Sequence, residues 1–177
     1  MEVIFDPLKI VQEFDKFLGE KSIEFSAVVI GGSALALLGI VRRGTRDVDL
    51  LDTSIPEDVK AAASDFAKLH GIAETWLNSG PASLARDLPS DWKARVQPLF
   101  TGKNLELWTL DRIDLIRSKL WAMCDRMRDL EDLVALAPTE DELTQAVNWI
   151  KPLDANPGWP AHVDTAVSIL RRRLGRV

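Results

Sequence analysis

The stretch VIGGSALALLGIVRRGTRDVDLLD, Val29 to Asp52, constrains this chain more than any other. The run Phe25 to Ile30, rich in valine and isoleucine, predicts a buried strand that Gly31-Gly32 must turn at once. Ser33 to Leu38 then predicts a short helix stopped near Gly39, and Asp47 to Asp52 a second strand. Side chains alternate faces along a strand, so Asp47 and Asp49 point one way and Val48 the other, with the aspartate α-carbons roughly 6.5–7 Å apart. Two ionised carboxylates this close repel each other, and burial makes the repulsion worse. Such a pair needs a compensating charge.

A divalent cation supplies one. Magnesium binds few carboxylates and keeps positions for water and substrate phosphates. Two such ions can clamp the attacking and leaving oxygens of an in-line phosphoryl or nucleotidyl displacement. Arg42, Arg43 or Arg46 could balance the same carboxylates without any metal, and so could water at a sheet edge. Gly31, Gly32 and Ser33, between a strand and a helix, free backbone N–H groups that suit an anion such as a triphosphate. A tight turn and a serine helix cap account for the same three residues.

The rest of the chain limits the setting. It has 177 residues, enough for one domain or a small domain with an appendage. A net charge of −5 argues against a general nucleic-acid coating protein, though not against a local basic cleft. The single cysteine, Cys124, forms no internal disulfide, which fits a reducing cytosol. The first residues, MEVIFDPLKIVQEF, do not have the pattern of a secretory signal. The longest apolar run is too short and too interrupted by glycine to span a membrane. No Walker-type loop, Gly-x-Gly-x-x-Gly or Gly-x-Ser-x-Gly occurs, and His70 and His162 lack zinc-site spacing to each other or to Cys124. Both histidines are expected at the surface.

Asp6-Pro7 predicts an N-cap and first helical residue, followed by Ile10, Val11, Phe14, Phe17 and Leu18 at helical spacing and a stop at Gly19. Ser54-Ile-Pro-Glu57 matches a capping box, opening a helix with the stripe Val59, Ala62, Phe66 and Leu69. The region 73–95, with Gly80-Pro81 and Leu88-Pro89, predicts loops and short helical pieces. Val96 to Phe100 and Leu105 to Leu110 predict a hairpin turning at Thr101-Gly102-Lys103. After Asp111 the period becomes helical: Ile113, Ile116, Leu120, Met123 and Met127 share one face, and a further helix covers Leu130 to Leu136. Thr139-Glu-Asp-Glu142 predicts another capping box, and Val163, Val167, Leu170 and Leu174 a last helix ending in Arg171-Arg172-Arg173. That basic turn suits an RNA acceptor or simply the helix dipole. The six tryptophans read as core or interface filling, with Trp92 or Trp108 as candidates to stack on a base.

GGSALALLGIVRRGTRDVDLL resembles the signature of the DNA polymerase beta-like nucleotidyltransferase superfamily, most closely its small bacterial members of the minimal and abortive-infection or toxin–antitoxin types. Their Arg-x-Thr-x-Asp-[Ile/Val]-Asp run stands here as Arg43-Gly-Thr45-Arg-Asp47-Val-Asp49. The resemblance extends to Lys119-Leu120-Trp121-Ala122 followed by Arg126, Asp129 and Asp132. It implies Asp47 and Asp49 as catalytic metal ligands for a two-ion Mg²⁺ site. It implies a nucleoside triphosphate held by Gly31, Gly32, Ser33, Arg43, Thr45 and Lys119. It also implies a third carboxylate on a later strand, for which Glu106 in Leu105-Glu-Leu107 has the right parity, although a glutamate replaces the usual aspartate. On the residues alone, Lys119 is a snorkelling surface lysine, and Arg126, Asp129 and Asp132 a structural ion-pair cluster.

The expected fold is α/β (α+β): a nucleotidyltransferase core of mixed sheet and flanking helices over residues 1–110, then a helical region, 111–177, packed on it. The expected activity is Mg²⁺-dependent transfer of a nucleoside monophosphate from a nucleoside triphosphate to a hydroxyl of tRNA, protein or a small molecule. The expected setting is a cytoplasmic toxin–antitoxin or phage-defence system with a cognate partner protein and no membrane. The alternative is an inactive nucleotide- or partner-binding module of the same fold.

Overall fold

A computed structural model describes residues 3–80, 82–126 and 129–176. The chain divides into two units, Met1–Leu110 and Asp111–Val177.

The first unit opens with helix α1 (Pro7–Glu20), capped as its sequence predicts: Asp6 Oδ1 accepts the N–H groups of Leu8 and Lys9 at 2.9 and 3.4 Å. Gly19 lies inside this helix rather than after it. Strand β1 (Phe25–Ile30) runs directly into helix α2 (Gly31–Leu37), which begins two residues before the predicted start. Strand β2 (Val48–Leu51) and helix α3 (Glu57–His70) follow. The capping box expected at Ser54 does not form. Pro56 is the N-cap and Glu57 the first helical residue, so the glutamate sits two positions too early to reach back. Gly71, at φ +64°, stops the helix, but Leu69 is 73% exposed, and Ala63 and Ala67 fill the buried stripe instead. Beyond it lie β3 (Leu77–Ser79), α4 (Ala82–Asp87), a 3₁₀ turn (Trp92–Arg95) and the expected hairpin of β4 (Gln97–Thr101) and β5 (Leu105–Thr109). Pro81, in the predicted loop, lies outside the described residues.

The strands form one mixed sheet in the order β3-β2-β1-β5-β4, confirming the predicted class. β1 is antiparallel to β2 and parallel to β5; β2 is parallel to β3, and β4 antiparallel to β5. One sheet face is apolar. Ala27 and Val29 of β1, Val48 and Leu50 of β2, and Leu105 and Leu107 of β5 join Phe14, Leu18, Val59 and Phe66 from α1 and α3 in the core. Each of the valine, leucine and phenylalanine side chains contributes about 1.5–3 kcal/mol when fully buried. Trp76, 1% exposed, anchors the chain just before β3. Its ring meets Phe14 edge-on at 5.1 Å, its indole N–H donates to Ala63 O at 3.1 Å, and its own carbonyl accepts the Val48 N–H at 2.5 Å. The other sheet face carries Ser26, Val28, Ile30, Asp49, Leu51, Asn78, Glu106 and Trp108, as the registers and side-chain alternation require.

The second unit is helical: α5 (Arg112–Arg126), α6 (Leu130–Leu136), α7 (Glu140–Ile150) and α8 (Trp159–Arg173). Ile116, Leu120 and Met123 are buried as predicted, Ile113 is half-buried, and Met127 lies outside the described residues. The Thr139–Glu142 capping box forms in both directions, at 3.2 and 2.8 Å, and Arg112 Nε donates to the same glutamate at 2.7 Å. Among the described residues, no helix is long and apolar enough to cross a membrane.

Candidate active site

The turn after β1 and the start of β2 meet because the two strands are antiparallel neighbours, with Ile30 opposite Asp49. Gly31 follows Ile30 at φ +79°, a conformation that costs a residue with a side chain roughly 1–2 kcal/mol. A β-carbon on Gly31 would stand 3.0 Å from Asp49 Oδ2. The glycine therefore brings bare backbone against the carboxylate. Gly80, just after β3, packs nearby: a β-carbon there would meet Leu50 O at 3.0 Å and lie 3.6 Å from Asp49 Cβ. Val48 is 1% exposed, whereas Asp47 is exposed and Asp49 half-buried. The apolar Val48 thus turns inward and leaves Asp49 on the outer face, while Asp47, expected to open the strand, lies just before it and is exposed.

Arg43 and Thr45 belong to the same place. A β-carbon on Gly32 would meet Arg43 Nη2 at 3.4 Å, so the guanidinium lies over the glycine turn. Thr45 exchanges backbone hydrogen bonds with Phe5 at 2.8 and 2.9 Å, and its hydroxyl donates to the Asp47 carbonyl at 3.0 Å. Its position thereby sets the entry of the chain into β2. Arg43, Arg46 and Asp49 all have polar partners in the folded chain.

Ser33 departs from its expected role. It is 2% exposed and is the third residue of α2, not its cap; its hydroxyl donates back to Ile30 O at 3.2 Å. That bond ties the first turn of the helix to the strand end.

Glu106 is not brought to the two aspartates. It shares the sheet face of Asp49, as its parity predicts, but pairs with Ser26, four residues upstream of Ile30. At about 3.3 Å per residue and two strand spacings across, its α-carbon lies roughly 16 Å from that of Asp49. On its other side, away from Ile30, Asp49 is opposite Asn78 of β3. Asn78 escaped the sequence reading because Leu77-Asn78-Ser79 is a three-residue strand without alternating apolar residues. Its Nδ2 donates to Thr75 O at 3.4 Å.

A family described as nucleotidyltransferase of unknown function, DUF6036, matches residues 7–150. The chain belongs to this family. No curated protein and no solved structure matches it significantly. The matched span runs from the first residue of α1 to the last of α7 and so includes residues of both units of this nucleotidyltransferase-family chain.

Lys119 lies in the helical unit with its side chain 6% exposed. Its Nζ is 2.9 Å from Asp129 Oδ1 and 2.7 Å from Asp132 Oδ2. Burial pushes the Asp129 carboxyl up, but the hydrogen bond and charge of Lys119, with a hydrogen bond to Asp132 and the charge of Arg126, together hold it below the ordinary value. These are three of the residues by which the family resemblance extends beyond the glycine turn, and together they form a buried ion cluster joining α5 to α6.

The donor set of Asp47 and Asp49 suits a hard cation. Both are carboxylates, Asp49 lies on the outer face of β2 with the exposed Asp47 just before the strand, and the bare Gly31 backbone leaves room at Asp49. Among the described residues, no group of three or more histidine, cysteine or acidic side chains is placed to hold a metal.

Proposed function

We propose that this chain is a Mg²⁺-dependent nucleotidyltransferase acting on a nucleoside triphosphate and a hydroxyl of an RNA, protein or small-molecule acceptor. The observation that carries this reading is the contact of the Gly31 backbone with the Asp49 carboxylate at the shared end of β1 and β2. A glycine turn of a kind suited to phosphate beside a carboxylate supports the reading. Asp47 and Asp49 hold the metal, which when bound neutralises phosphate charge and stabilises the oxygens of an in-line displacement. The N–H groups of the Gly31-Gly32 turn bind the triphosphate, and Arg43 adds a cation over the turn. The acceptor oxygen forms a bond to the α-phosphorus, the bond from that phosphorus to the β-bridging oxygen breaks, and pyrophosphate leaves. The hydroxyl proton passes to water. Glu106, at the far end of the sheet face, has no part in this step. Ser33, buried and bonded to Ile30, supports the turn from within. A toxin–antitoxin or phage-defence setting, with a cognate partner protein, is compatible with this chemistry.

The test is thermal unfolding with each of the four nucleoside triphosphates, with and without Mg²⁺, for wild type and Asp49→Asn. A ligand at about 100 times its dissociation constant adds roughly 2.7 kcal/mol. Mg²⁺-dependent stabilisation lost in Asp49→Asn is the expected result. Equal stabilisation of both proteins would sink the reading. Stabilisation without transfer of label to RNA or protein from the native host lysate would favour a nucleotide-binding module instead.

A further inference from the structure

The geometry points to Asn78 as a third, neutral oxygen ligand of the Asp47–Asp49 metal site. The inference rests on the metal-carrying reading of that site and adds a residue to it.

Three observations converge. First, the parallel pairing of β2 with β3 puts Asn78 directly opposite Asp49, one strand spacing of about 4.8 Å away and on the same face. Second, this register is held from both sides. The fully buried Trp76 accepts the Val48 N–H at 2.5 Å, and Gly80 N–H donates to Leu50 O at 2.5 Å. A slip by one residue would break both bonds and turn Asn78 to the other face. Third, Asn78 commits its Nδ2 to Thr75 O, while its Oδ1 accepts no hydrogen bond among the described residues. An amide carbonyl oxygen is an ordinary ligand for Mg²⁺ and Mn²⁺.

A neutral third ligand has a consequence that a carboxylate would not. The site presents two negative charges instead of three, so the free cation binds weakly and gains its further charge from the triphosphate. Metal and nucleotide then bind as one unit. Asn78 also has no proton to accept at neutral pH, which limits its role to holding the metal.

The experiment is Mn²⁺ titration followed by electron paramagnetic resonance, with and without nucleoside triphosphate, on wild type, Asn78→Asp and Asn78→Ala. Wild type is expected to bind free Mn²⁺ weakly and Mn²⁺ with nucleotide more tightly. Asn78→Asp should tighten free Mn²⁺ by roughly tenfold or more, because charge count sets the affinity of such sites. Its melting temperature should fall below wild type in a chelator, where a third carboxylate faces Asp49, and recover on adding Mn²⁺. Asn78→Ala should weaken Mn²⁺ binding in the presence of nucleotide. Unchanged Mn²⁺ affinity in both variants, with wild type still binding Mn²⁺ and nucleotide together, would overturn the role of Asn78 and leave the proposed function standing. Loss of all Mn²⁺ binding in wild type and in Asn78→Asp would overturn both.

Discussion

The α-carbon of Gly31 sits so close to Asp49 that a methyl group there would press on the Asp49 carboxylate, 3.0 Å from Oδ2. The same glycine holds φ at +79°. Two independent demands, one of conformation and one of space, therefore fall on one residue.

Gly31→Ala tests them together. Left-handed backbone should cost about 1–2 kcal/mol of stability, and the displaced Asp49 should lose Mg²⁺-nucleotide binding beyond that loss of stability. Denaturant unfolding and calorimetric nucleotide titration separate the two effects. A variant that is destabilised but binds normally would show that the carboxylate accommodates the methyl group.

Glu106→Gln distinguishes sheet face from sheet register. Glu106 shares a face with Asp49 but is level with Ser26, at the other end of β1. Nucleotide-dependent stabilisation should survive this substitution and vanish in Asp49→Asn. Its loss in both proteins would mean that substrate spans the whole sheet face.

Asp15 gives the first unit an acid-sensitive joint. One carboxylate oxygen accepts the N–H groups of Asn104 and Leu105, at 2.7 and 2.8 Å, joining α1 to the β4–β5 turn. Burial alone would raise its pKa, but these backbone bonds, with that of Lys103, bring it below the ordinary value. A carboxyl depressed on folding stabilises the protein above its unfolded pKa, near 3.8, and that contribution is lost as pH falls through the lower folded value. Asp15→Asn should cost about 1–2 kcal/mol at neutral pH and flatten the loss of stability on acidification. Urea unfolding at a series of pH values from neutral downward reads both.

Lys119→Met should destabilise the helical unit. Asp132 is 1% exposed and Asp129 is also largely enclosed, so removing their shared cation leaves two carboxylates without it. Removing one partner of a buried pair costs about 3–5 kcal/mol. Circular dichroism during thermal melting should show the loss at neutral pH. A variant as stable as wild type at neutral pH would free Lys119 from this structural role.

The glycine turn, the two aspartates and the hairpin were legible because each is a local pattern: a break in an apolar run, a period of two, a Gly-containing turn. The parity of Glu106 was legible for the same reason. Its level in the sheet was not, because the pairing of β1 with β5 is a tertiary choice between segments far apart in sequence. Asn78 was hidden more deeply. Nothing in Leu77-Asn78-Ser79 signals a strand; the burial of Trp76 and its bond to Val48 create one. At Ser54, a correct motif match failed because Pro56 moved the helix start.

The position of β1 in the sheet also governs when this unit can be completed. Its neighbour β5 is joined to it through Thr109, whose hydroxyl donates to Val29 O across a sequence gap of 80 residues. Contacts this distant in sequence form slowly, since a long loop must close before they are rewarded. During synthesis, β1 and β2 can pair early, but the other edge of β1 has no strand until Leu105–Thr109 leaves the ribosome. An unpaired edge of apolar character is a template for another chain. The nascent protein thus carries its glycine turn on a strand with one bare edge, and the last hairpin of the first unit is what closes it.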